Sequence, residues 1–149
     1  DDELREFASK KKTVLGICLG MQLLLSESHE NGLHNGIGLI DGVVEKITVI
    51  DGKERVPNIG WHTINNNSLS QIPYKFFDGQ NVGKQYYFIH SYHAIPRHNV
   101  DVFASIDYGG NKLAAVIGNE SVIGVQFHPE KSGKDGLELL GKLKAEYWN

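Results

Sequence analysis

Apolar and polar positions along this chain change period several times, and the changes mark its elements. From Thr13 a β-branched and apolar run climbs to Cys18, and after Gly20 comes Met21-Gln22-Leu23-Leu24-Leu25. That pattern predicts a strand entering a helix through a glycine-flanked turn, with the helix running to about Ser28 and ended by Glu30-Asn31-Gly32. Ahead of it, Asp1 to Lys12 reads as a helix, acidic at its start and basic at Lys10-Lys11-Lys12, with Leu4, Phe7 and Ala8 on one face. Gly36 to Ile50 holds two apolar runs around Asp41-Gly42, and Asp51-Gly52 is a hairpin signal before Val56. Pro57 to His62 sets an aromatic, Trp61, in a glycine-bearing segment. Asn65 to Ser68 reads as a loop, and Ile72 to Phe77 is too short and mixed to assign.

The second half is richer in strands. Gln85 to Ala94 is aromatic and β-prone and reads as one strand. Val102–Tyr108, Lys112–Ile117 and Val122–Phe127 follow, joined by turns at Gly109-Gly110-Asn111 and Gly118-Asn119, so this part is expected to be an antiparallel meander. Ser132 to Tyr147 closes as a helix. Ser132 with Asp135 resembles a capping box, and Leu137, Leu140, Leu143 and Tyr147 form its apolar stripe. No repeat, linker or low-complexity stretch divides the 149 residues, which predicts one domain over 1–149.

Composition narrows the function classes. Apolar content of 40 % and charged content of 22 % are those of a globular protein, and a net charge of −3 with no basic stripe argues against a nucleic-acid surface. No apolar run is long enough to span a bilayer, and no signal-peptide pattern is seen. With one cysteine no internal disulfide forms, and a reactive thiol would favour a reducing compartment, so the cytoplasm is the expected location.

Chemistry concentrates at two places. A cysteine at a strand-to-helix turn lies beside unpaired N–H groups that favour its thiolate, the nucleophilic form. Seen alone, a single cysteine is more often a small buried hydrophobe. A nucleophile needs a base, and the base an orienting group. His128 and Glu130 stand two apart at the end of an apolar strand, where such residues face the same side. His90 and His93 have a chelate-like spacing, but their odd separation on one strand points the rings apart, and no third ligand stands out among His29, His34, His62 and His98. Neither a metal nor another cofactor is expected.

Gly16-x-Cys18-x-Gly20-x-Gln22, followed downstream by Gly124-Val-Gln-Phe-His128-Pro-Glu130, resembles the signature of the class I glutamine amidotransferases. Pro57-Asn-Ile-Gly-Trp61, Tyr87-Phe-Ile-His-Ser91-Tyr92 and Phe127-His-Pro-Glu-Lys131-Ser132 are similar to segments of the glutaminase subunits of imidazole glycerol phosphate synthases. The resemblance implies an α/β fold with a mostly parallel central sheet flanked by helices and an antiparallel section. It implies Cys18 as nucleophile, His128 as proton carrier and Glu130 as its orienting group. It also implies Gly20, Gln22, Ser91 and Tyr92 as contacts to a glutamine substrate. A barrel-shaped cyclase subunit in histidine biosynthesis would receive the ammonia, with Trp61, Tyr87 and Lys131 near that partner. A paralogous glutaminase serving another synthase, such as a sugar-aminating one, carries the same motifs, and a catalytically silent docking subunit is the rival from another class.

The family pattern also has β/α units ahead of the nucleophile strand, including a loop that helps form the oxyanion hole. This sequence opens within the helix preceding that strand. The expectation is an N-terminally incomplete copy of the domain, oligomeric or weakly active by itself.

Overall fold

The computed structural model describes residues 2–50, 52–67 and 74–147. Three helices and eleven strands are distinguished there: α1 (Asp2–Ser9), β1 (Val14–Ile17), α2 (Leu19–Leu23), β2 (Leu25–Ser28), β3 (His34–Asn35), β4 (Ile40–Lys46), β5 (Asn58–Thr63), β6 (Asn65–Asn66), β7 (Gln85–His90), β8 (Tyr92–Pro96), β9 (Val102–Tyr108), β10 (Asn111–Gly118), β11 (Val122–Val125) and α3 (Gly133–Tyr147). A five-stranded sheet in the order β1-β11-β10-β9-β6 is accompanied by a four-stranded sheet, β3-β2-β4-β8, and a two-stranded ribbon, β5-β7.

The five-stranded sheet is covered on both faces, which is why β10 and β11 read as nearly unbroken apolar runs. On one face Leu113, Ala115, Ile123 and Val125 join Phe76, Phe77, Tyr86, Phe88, Phe127, Leu139 and Leu143 in a core beneath the ribbon and α3. On the other, Ala114, Ile117 and Val122 pack with Met21, Leu24, Leu25, Ile40, Val44 and Ala94. The β9-β10-β11 section is the antiparallel meander expected from its short glycine turns. Parallel pairing is narrower than expected. Among the described residues it joins β1 to β11 and β2 to β4, because strands linked by two or three residues can pair only antiparallel.

Several element boundaries differ from the sequence reading. The helix after Cys18 stops at Leu23, and Leu25–Ser28 is a strand between β3 and β4. Its polar positions Ser26 and Glu27 suit a strand as readily as a helix, and ladder bonds to β4 decide the matter. The two apolar runs around Asp41-Gly42 are not separate elements there, since both residues lie within β4, where a Cβ on Gly42 would come within 2.5 Å of the Ile95 carbonyl oxygen. The hairpin expected at Asp51-Gly52 does not join its flanking strands: β4 pairs with β2 and β8, whereas β5 pairs with β7. Asp51 itself, Ser68 of the expected loop, and Ile72 and Pro73 lie outside the described residues. Asn65 and Asn66 form a short strand against β9 rather than a loop.

The expected strand Gln85–Ala94 is two strands in different sheets, broken at Ser91. On α3 the buried residues are Gly136, Leu139 and Leu143, while Leu137 is 66 % exposed, so the inward stripe lies to one side of the expected one. Ser132 is not a capping-box residue; its hydroxyl is engaged elsewhere, as described next.

Candidate active site

β1 ends at Ile17, and the Cys18 N–H extends the parallel ladder by donating to the Val125 carbonyl at 2.8 Å. The chain then reverses into α2. Cys18 takes φ 51° and ψ −107°, a backbone state that a non-glycine residue holds only when its surroundings impose it. Two glycines make the turn possible. A Cβ on Gly16 would lie 2.6 Å from the Gly20 carbonyl group, and one on Gly124, its partner in register on β11, would lie 2.7 Å from Met21 Cγ. Gly20 has open space around it.

β7 brings the second half of the site to the first. Its Tyr87 carbonyl accepts the His128 N–H at 2.9 Å, and its Ile89 carbonyl accepts a long contact from the Cys18 thiol at 3.9 Å. Carbonyls two residues apart on a strand face the same way and are about 7 Å apart. The sulfur and the His128 backbone are therefore gathered on one edge of one strand. His128 Nδ1 pairs with Glu130 Oε1 at 2.7 Å, which leaves Nε2 as the ring nitrogen free to exchange a proton. Ser132 fixes this segment: its hydroxyl donates to the His128 carbonyl at 2.6 Å and accepts the Tyr87 N–H at 2.9 Å.

The electrostatics differ from the expectation for an activated turn cysteine. Burial pushes the Cys18 thiol above its usual range. The Leu19 N–H and the Gln126 amide pull it down, Glu130 adds to the rise, and Lys131 opposes it. Five-residue α2 is too short to outweigh that burial. At neutral pH the sulfur is a thiol that must lose a proton to become a nucleophile. Burial also works against the Glu130 charge. Its own N–H, then the hydrogen bond and charge of His128, and then Lys131 outweigh that burial and hold the carboxyl below the usual range. An ionised Glu130 is the group that steadies an imidazolium beside it.

Gln22 is buried and adjoins the thiol through Gln126: its amide donates to the Tyr92 carbonyl at 2.9 Å and to Gln126 Oε1 at 3.1 Å, and Gln126 Nε2 lies 3.7 Å from Cys18 Sγ. Ser91 occupies the bend between β7 and β8. Trp61 and Tyr87 are cross-strand partners on the outer face of the ribbon, with ring centroids 5.9 Å apart, and Lys131 is exposed just past His128. Of these three, only Lys131 acts on the thiol, through its charge. Among the described residues no cluster of three or more His, Cys, Asp or Glu side chains is placed to hold a metal ion.

The family model described as glutamine amidotransferase class-I matches residues 2–142. The chain belongs to that family. This amidotransferase chain is 38 % identical over 141 residues to the imidazole glycerol phosphate synthase subunit HisH of Prochlorococcus marinus subsp. pastoris, covering 93 % of this chain and 64 % of the relative. It is 42 % identical over 134 residues to HisH of Rhodospirillum rubrum (90 % and 61 %), and 40 % identical over 143 residues to HisH of Pyrococcus furiosus (96 % and 70 %). The chain thus spans under two thirds of the length of the first two relatives. Among solved structures, a glutamine amidotransferase superposes with a TM-score of 0.59 at 18 % identity, over 95 % of this chain and 66 % of that one. A second, from Thermotoga maritima, gives 0.52 at 18 % identity, over 97 % and 52 %. Both agree with the amidotransferase fold.

The sequence reading passed over Gln126 and Asn58, and weighed His90 only as half of a chelate-like pair with His93. Gln126, Asn58 and His90 are buried. Gln126 stood inside the quoted signature, a fully polar residue in an otherwise apolar strand, and that contrast was the available signal. His90 and Asn58 sit on inward positions of β7 and β5 that only the ribbon's pairing reveals.

Proposed function

We propose that this chain forms one domain acting as the glutaminase part of an imidazole glycerol phosphate synthase. The observation that carries the reading is the seating of Cys18 and His128 on the same edge of β7, with His128 backed by Glu130. The glutamine amidotransferase family and the synthase-subunit names of its relatives support glutamine as the substrate and a synthase as the partner. His128 takes the thiol proton, and the Cys18 sulfur attacks the side-chain amide carbon of glutamine. The tetrahedral adduct collapses to a γ-glutamyl thioester as the proton passes to the leaving nitrogen, which departs as ammonia. Water, deprotonated by His128, then attacks the thioester, and glutamate leaves as the thiol is restored. Gly20, Gln22, Ser91 and Tyr92 are the proposed contacts to glutamine.

The ammonia goes to a cyclase subunit of the same synthase, in the cytoplasm, as part of histidine biosynthesis. The docking surface is the outer face of the ribbon, where Ile59, Trp61 and Ile89 are exposed and Ile59 and Trp61 stand opposite Ile89 and Tyr87. Lys131 extends it with a charge. Exposed apolar positions that pair across two strands are what an interface core requires.

The test is glutamate formation from glutamine by this chain, with and without the cyclase subunit and its nucleotide ligand. Cys18→Ala is expected to abolish it. Glutamate formation that survives Cys18→Ala overturns the nucleophile. Stimulation by a sugar-aminating synthase instead of the cyclase would reassign the partner, and binding without turnover would make the chain a docking subunit.

A further inference from the structure

A file of side-chain hydrogen bonds crosses the interior from β5 to the sulfur. His62 Nε2 meets Asn58 Oδ1 at 2.7 Å, Asn58 Nδ2 meets His90 Nε2 at 3.0 Å, and His90 Nδ1 meets the Tyr92 carbonyl at 2.8 Å. The same carbonyl accepts from Gln22, which donates onward to Gln126, and Gln126 ends at Cys18. The Tyr92 carbonyl sets the direction of the bonds on both sides of it. A carbonyl only accepts, so His90 carries its proton on Nδ1 and offers a bare Nε2 to the Asn58 amide. Gln22 uses both amide hydrogens, one on Tyr92 and one on Gln126 Oε1. With its oxygen so engaged, Gln126 has only its NH2 group to turn toward the sulfur.

His90 suits a fixed, uncharged link. Burial lowers its affinity for a second proton, the Tyr92 carbonyl opposes this, and His93, His62 and His128 each add to it. Around the sulfur the charged groups are Glu130 and Lys131, with opposite effects. The Gln126 amide is thus an uncharged donor that discriminates between thiol and thiolate by the strength of one hydrogen bond.

We propose that Gln126 stabilises the Cys18 thiolate by donating to it, and that His90 is a positioning residue that holds the Tyr92 carbonyl in place, on which Gln22, and through it the Gln126 amide facing the sulfur, is seated. This extends the proposed function, since it takes Cys18 as the nucleophile. Its readout does not depend on glutamine turnover.

The experiment is the rate of Cys18 alkylation by iodoacetamide against pH, followed by mass spectrometry on this chain, with folding checked by circular dichroism. Gln126→Leu is expected to raise the midpoint by about one pH unit and to slow alkylation at pH 7 about tenfold. His90→Leu moves the midpoint the same way. His90→Asn, which retains a donor near the position of Nδ1, restores most of the shift. In a Gln126→Leu background His90→Leu adds little, because its effect passes through Gln126. If the leucine variants fail to fold, Gln126→Glu keeps the size and sets a carboxylate against the sulfur, and the midpoint rises further. An unchanged midpoint in folded Gln126→Leu or Gln126→Glu overturns the donor role. A His90→Leu shift undiminished in the Gln126→Leu background overturns the positioning role.

Discussion

At the scale of single residues, the site depends as much on missing side chains as on present ones. Gly16 and Gly124 face each other across the parallel pair, and the turn into α2 sits down on them. Gly16→Ala would drive a methyl into backbone at Gly20, which cannot rotate away as a side chain could. We expect a loss of at least about 2 kcal/mol in urea unfolding, together with a fall in Cys18 reactivity, because the turn must open to admit the methyl. Gly124→Ala meets side chains rather than backbone, Met21 at Cγ and Cβ and Ile117 at Cγ1, and should cost less. Cys18, His128 and Glu130, the proposed nucleophile, base and orienting group, could be picked out of the sequence because such chemistry is carried by residue type and local spacing. Gln126 and His90 could not, because a buried amide or imidazole differs from an exposed one only by its partners, which here come from up to 108 positions away.

At the scale of elements, the unit that holds His128 is a tripod of β7, the turn at Pro129–Lys131 and the start of α3. Ser132 ties the first two together, and Gly136 lets α3 approach so closely that a Cβ there would lie 1.9 Å from the Pro129 carbonyl oxygen. Ser132→Ala leaves the Tyr87 N–H without that acceptor. We expect about 1–3 kcal/mol of destabilisation by urea unfolding and a lower kcat with little change in KM, since His128 loses its anchor rather than glutamine its contacts. The long strands β9 and β10 and helix α3 were readable from period and turn residues. Strand β2 and the break at Ser91 were not. Leu25–Ser28 takes its form from pairing with β4, and the division of Gln85–Ala94 reflects two sheets competing for one continuous β-prone run.

At the scale of the whole molecule, three histidines, the buried His90 and the half-buried His62 and His93, are each held below the ordinary imidazole range by burial, His90 to about 4. The unfolded chain binds protons at these positions more readily than the folded one. Their stabilisation is therefore complete above about pH 6.5 and is lost as the pH falls toward 4. For His90 alone the effect is on the order of 3 kcal/mol. Thermal melting at pH 7 and pH 5 should show a marked fall in Tm, and His90→Asn should flatten it. On the proposed docking face, Trp61→Ala should weaken binding of the proposed cyclase partner by about 10-fold to 100-fold in titration calorimetry, with alkylation of Cys18 in the free chain unchanged. The ribbon that presents Trp61 has a further property. Asn58, Gly60 and His62 point inward, whereas Ile59, Trp61 and Thr63 point outward. Six consecutive residues thus answer to two masters, odd numbers to the proposed neighbouring subunit and even numbers to the interior. Descent can rewrite the odd positions for a new companion and leave the even ones untouched, whereas deletion of a single codon between them would exchange the two sets and forfeit both allegiances in one event.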